Sequence, residues 1–138
     1  WTVAIEDVDA VTTRHKIGVV NQCIVTSGDY QRYYMVEGKR YHHIIDPKTN
    51  MPAQYFSSVS IFTADSGLAD ALSTALFCMT PEEGLSLVES LPDTEVLWVM
   101  SDGSRQQSSG FNKYTKEYSL SYISIGEQKI YIFIENYA

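Results

Sequence analysis

At 138 residues, 44% hydrophobic and 20% charged, the chain is long enough for one domain with its own core and too short for two, and it has no bias toward disordered, collagenous or low-complexity sequence. A formal charge of -7 disfavours nonspecific nucleic-acid binding, and no nucleic-acid partner is expected, since phosphate-backbone binding needs a surplus of Lys and Arg on one face. Cys23 and Cys78 lack metal or redox spacing and read as buried free thiols. No apolar stretch approaches the ~20 residues of a membrane span, and the opening residues lack the parts of a signal peptide.

In chain order, Trp1 to Glu6 alternates apolar and polar residues with the period of a half-buried strand, and Lys16–Val20 and Gln22–Thr26 follow suit. Thr26-Ser27-Gly28-Asp29-Tyr30 reads as a small polar turn. Tyr33–Val36, the turn Glu37-Gly38 and Lys39–Ile45 form an expected β-hairpin. Asp46–Ala53, with two prolines and an Asn, reads as a loop before a strand over Ser57–Thr63 that has Val59 and Ile61 on one face.

A helix is expected over Ser66–Met79, capped by Ser66, with an apolar stripe of Leu68, Leu72, Ala75, Leu76 and Met79. Pro81 suits the first turn of a second helix ending near Ser90. Strand Thr94–Met100, a turn at Asp102-Gly103 and a terminal hairpin, Tyr118–Ser124 and Lys129–Glu135 around Gly126, complete the chain. This order argues for an α+β domain: a mixed, mainly antiparallel sheet with two central helices on one face.

Two places could carry chemistry. In YHHIIDPKTN, residues 41–50, a histidine ends a strand and a carboxylate begins a loop. His42 and His43 point to opposite faces, so they do not share a metal; one acts alone, as a base with a near-neutral pKa or as a packed side chain capping a loop amide. Asp46 before Pro47 reads equally as a turn residue. In ADALSTA, residues 69–75, Asp70 and Thr74 lie one helical turn apart, opposite the apolar stripe. Their two hard oxygens suit Mg²⁺, or form a solvated helix face with the threonine bonded back to a carbonyl.

Taken in order, TSGDY at 26–30, YHHIIDPKTN at 41–50 and ADALSTA at 69–75 resemble the C-terminal, catalytic part of the ApbE family, and the likeness runs over roughly residues 1–112, to the SSGF at 108–111. The resemblance implies a T-fold-like α+β fold and a Mg²⁺-dependent transfer of FMN from FAD to a threonine hydroxyl of a partner protein, releasing AMP. By the same likeness His43 is the base, Asp70 and Thr74 hold Mg²⁺, Ser27, Gly28 and Asp29 line the flavin nucleotide site, and Asp46, Pro47 and Thr49 shape the loop beside it. The implied partners are FAD and a redox-enzyme subunit, in the periplasm or on the outer face of the bacterial cytoplasmic membrane, by way of a lipid anchor.

The family carries Gly where this chain has Asn50, a residue that also tolerates a left-handed backbone. Family members are about twice as long, so residues 1–138 are expected to be the catalytic portion without its N-terminal half, with an apolar face open to self-association. FAD hydrolysis to AMP and FMN, and a non-catalytic flavin-binding module, are the rival readings.

Overall fold

The computed structural model describes residues 2–5, 15–115, 118–125 and 128–135. Strands β1 (Thr2–Ile5) and β2 (His15–Gly18) pair with each other, as do β4 (Tyr33–Val36) with β5 (Lys39–His42) and β6 (Ile45–Asp46) with β7 (Met51–Pro52). The main sheet takes β3 (Cys23–Gly28), β8 (Phe56–Thr63), β9 (Glu95–Met100) and β10 (Arg105–Gln107), in the order β10-β9-β8-β3. Helices α1 (Ser66–Phe77) and α2 (Pro81–Glu89) lie between β8 and β9 in sequence, a 3-10 turn spans Phe111–Tyr114, and β11 (Tyr118–Ile125) pairs with β12 (Gln128–Glu135). Every ladder among the described residues is antiparallel, so this is the mainly antiparallel α+β arrangement that the element order implies.

The core is organised around β8. Alternate side chains of a strand point to opposite faces, and here both faces are covered. Val59 and Ile61 join Leu72, Leu76 and Phe77 of α1, Val88 of α2 and Trp98 of β9. Phe62 joins Ile5, Ile17, Val19, Leu97 and Phe111 on the other side. The helices thus cover one face of the sheet, and β1–β2 with the 3-10 turn cover the other.

Several boundaries differ from the expected ones for physical reasons. The cap of α1 is Asp65, not Ser66: its carboxylate accepts from the N–H groups of Gly67 at 2.8 Å and Leu68 at 3.0 Å, and a negative charge there also favours the helix dipole. The buried face of α1 is Ala69, Leu72, Ser73, Leu76 and Phe77, while Leu68 is 41% exposed. Small Ala69 and Ser73 let the helix approach β3, where the Ser73 and Ser27 hydroxyls hydrogen-bond at 2.7 Å.

Thr26, Ser27 and Gly28 are strand rather than turn, because they pair with Ser60, Val59 and Ser58; the turn begins at Asp29. The segment read as a loop over 46–53 holds the β6–β7 ladder instead, with Ile45 opposite Pro52 and Asp46 opposite Met51. Helix α2 starts at Pro81 as expected, behind a reciprocal cap between Thr80 and Glu83. Cys23 and Cys78 are free thiols but only half-buried. Trp1, Glu6 and Gly126 lie outside the described residues. Among the described residues no helix is long and apolar enough to cross a membrane.

Candidate functional site

The β4–β5 hairpin turns through Glu37 and Gly38, both with positive φ (47° and 77°), a two-residue turn whose twist matches its strands. Its register sets Tyr33 opposite His42 and Tyr34 opposite Tyr41, and one step further brings Arg32 opposite His43. The two histidines then part. His42 is 7% exposed; its Nε2 donates to the Ala53 carbonyl at 2.7 Å and its Nδ1 accepts the Ile44 N–H at 3.3 Å. Its ring also meets Phe77 edge-on at 5.6 Å. That pair of bonds fixes the neutral tautomer and uses both nitrogens.

His43 is exposed. Its backbone N–H donates to the Arg32 carbonyl at 3.2 Å, and its Nδ1 lies 3.3 Å from the same oxygen. A carbonyl only accepts, so Nδ1 carries the hydrogen, and in the neutral ring Nε2 holds the lone pair. The residue lines an open cleft of about 620 Å³ together with Arg32, Tyr34, Tyr41, Met51 and Pro52. A base nitrogen at the edge of a cleft, oriented by a backbone oxygen behind it, can take a proton from a bound hydroxyl.

Asp46 organises the turn beside the cleft. Its Oδ1 accepts the Lys48 N–H at 2.9 Å, its Oδ2 accepts the Thr49 hydroxyl at 3.2 Å, and its carbonyl accepts the Asn50 N–H at 2.8 Å. Asn50 has φ of 56°, the left-handed conformation expected of it. Asp46 and Thr49 line a second recess of about 290 Å³ with Cys78, whose thiol is pushed up by burial and, secondarily, by the Asp46 charge. Asp29 and Arg40 line a third, of about 270 Å³. Pro52 borders all three, so His43, Asp46, Thr49 and Asp29 ring one short piece of backbone.

Burial pushes the Asp29 carboxyl up, and Arg40, 3.3 Å away, offsets only part of this. Gly28 lies beneath the Tyr30 ring, where any Cβ would collide with it, and Ser27 is spent on Ser73. Pro47 is exposed and borders none of the three recesses. Asp70 and Thr74 share the exposed side of α1, as their spacing implies, and also border none of them. The Thr74 hydroxyl points back to the Asp70 carbonyl at 3.4 Å, while the Asp70 carboxylate makes no hydrogen bond or ion pair among the described residues. No group of three or more His, Cys, Asp or Glu gathers as a metal site among the described residues.

Sequence reasoning missed Arg32, the stacked Tyr34–Tyr41 pair (5.5 Å) and Pro52. Arg32 was recoverable, because a two-residue turn at Glu37-Gly38 fixes the register that puts it opposite His43. Pro52 was not, because only the fold brings three recesses to it. The SSGF segment proves structural: Ser109 gives its N–H and hydroxyl to Glu89 at the end of α2, both at 2.8 Å, and Ser108 donates to buried Glu95.

Comparison with known proteins converges on one group. The profile described as the ApbE family matches residues 1–98. A protein of Treponema pallidum named FAD:protein FMN transferase is 40% identical over 113 residues, which cover 80% of this chain and 31% of that protein. A Haemophilus influenzae protein of the same name is 34% identical over 122 residues, covering 84% of this chain and 35% of its own. The chain therefore spans about a third of the length of the curated relatives it matches. Among solved structures, the Thermotoga maritima ApbE protein superposes with a TM-score of 0.76 at 36% identity, covering 85% of this chain and 38% of that one. The flavin transferase ApbE of Vibrio cholerae gives 0.68 at 33% identity, covering 83% and 37%.

Proposed function

Because the chain belongs to the ApbE family, we propose that it carries the hydroxyl-activating part of a transfer of FMN from FAD to a threonine of a partner protein. The observation that carries this reading is His43, with Nδ1 held by the Arg32 carbonyl and the ring at the edge of the cleft. His43 takes the threonine proton at Nε2, while the carbonyl behind it stabilises the imidazolium that forms. The threonine oxygen bonds to the flavin-side phosphorus of FAD, the bond from that phosphorus to the AMP oxygen breaks, and its electron pair leaves with AMP. The product is FMN joined to the acceptor by a phosphoester.

Asp70 and Thr74 suit Mg²⁺ as a partial ligand pair: a free carboxylate and a hydroxyl one turn apart on an exposed helix face. Mg²⁺ keeps several waters and shares phosphate oxygens, so two protein ligands are a reasonable contribution. When bound there it would neutralise charge on the pyrophosphate. Asp46 and Thr49 hold the turn rigid beside His43, and Asp29 keeps Arg40 against the third recess.

The test is to incubate the protein with FAD, Mg²⁺ and a threonine-bearing acceptor and to weigh the acceptor for covalent FMN. Labelling that falls at least about a hundredfold in His43→Ala, the usual scale of a general base, with FAD affinity nearly unchanged, supports the reading. Loss of FAD binding and labelling together would make His43 structural. Release of FMN and AMP without labelling would replace transfer by hydrolysis, and intact FAD would leave only a binding module. Asp70→Ala should lower activity and weaken its Mg²⁺ dependence together; an unchanged metal requirement removes Asp70 from the site.

A further inference from the structure

The hairpin that holds His43 has two unlike faces. Register and alternation put Tyr33, Met35, Arg40 and His42 on one, where Arg40 lies 4.6 Å over the Tyr33 ring and pairs with Asp29. The other carries Arg32, Tyr34, Val36, Lys39, Tyr41 and His43. On that second face Tyr34 and Tyr41 stack at 5.5 Å and Lys39 sits 5.5 Å over Tyr41.

Residues 31–40 are all exposed, Tyr34 at 64% and Val36 at 46%. The β4–β5 ladder pairs with no third strand among the described residues, so it offers edge backbone groups as well as an apolar face. Arg32 and Lys39 have no ion-pair partner among the described residues. In a chain of net charge -7, this face is locally cationic.

We propose that this face docks an extended, acidic segment of the acceptor protein and leads its target hydroxyl to His43. The proposal rests on the transferase reading above. Charge complementarity selects the occupant: an acidic segment is drawn to Arg32 and Lys39 and repelled by the rest of the molecule. The tyrosine pair supplies rigid apolar contact, and the open edge supplies main-chain hydrogen bonds to an added strand. Lys39 and His43 are four residues apart on one face, or about 13 Å at a strand's rise. The favoured carboxylate therefore lies about four residues from the target threonine.

The test measures binding without FAD, by fluorescence anisotropy with two fluorescein-labelled dodecapeptides. Each has a central threonine; one carries Asp four residues to either side of it, the other Lys at the same places. The acidic peptide should bind at least about tenfold tighter, Lys39→Glu should abolish that preference, Tyr34→Ala should weaken both peptides, and added salt should erode the difference. Glu82→Gln, at an exposed position of α2 outside the hairpin, should bind the acidic peptide as the unaltered protein does.

Equal affinity for the two peptides, or an unchanged preference in Lys39→Glu, overturns the proposal. So does a concentration-dependent dimer in sedimentation that Tyr34→Asp dissolves, which would make a second copy the occupant. Lys39-dependent binding of a peptide that never acquires FMN would keep the docking face and remove the transferase reading.

Discussion

His42 and His43 are chemically identical neighbours separated by what their nitrogens meet. The ring of His42 closes two buried polar groups, the Ala53 carbonyl and the Ile44 N–H. His42→Ala should therefore cost about 2–4 kcal/mol in a denaturant melt, through unpaired buried groups and lost packing on Phe77. His43→Ala should stay within about 0.5 kcal/mol in the same melt, as exposed substitutions do. Similar losses for both would contradict the division of labour. That one histidine faces inward was legible from strand alternation alone. What holds the other follows from the register that the Glu37-Gly38 turn sets, which brings the Arg32 carbonyl to it across the hairpin. The one-turn spacing of Asp70 and Thr74 was legible too, but whether phosphate approaches them depends on groups far from them in sequence.

Among the elements, α2 is held at both ends by carboxylates. Glu83 is kept below the usual glutamate value first by the Thr80 N–H and then by Lys48, and Glu89 by the Ser109 N–H and hydroxyl. The native state then binds fewer protons than the unfolded chain between each lowered value and the ordinary one. The stabilisation is complete above about pH 4.5 and disappears as pH falls through the lowered values. Amide exchange across residues 80–90, corrected for its intrinsic pH dependence, should lose protection in that acid window. Glu83→Gln with Glu89→Gln should flatten the response, and undiminished acid sensitivity in the double variant would rule these caps out as its source. The two helices and the long strands were readable from periodicity. The two-residue β6 and β7 were not, because so short a ladder has no period, and the burial of Ser73 was hidden because a small polar residue counts as surface until a facing Ser27 is known.

Over the whole molecule, β8 belongs to two cores at once. Ile61 packs on the helical side and Phe62 on the side of β1–β2, both fully buried. Ile61→Ala should cost about 2–5 kcal/mol and Phe62→Ala about 3–5 kcal/mol. Each should lower one common unfolding transition seen alike by far- and near-ultraviolet circular dichroism; separate transitions for the two sides would contradict a shared strand. Trp98 stands at the centre of this arrangement, wholly buried, stacked on Phe56 and beside Gly84 of α2, where a Cβ would come within 3.2 Å of its ring, with no partner for its indole N–H among the described residues. An indole so enclosed emits at the blue end of the tryptophan range. With Trp1 replaced by Phe, its colour would report whether α2 is still seated on the sheet.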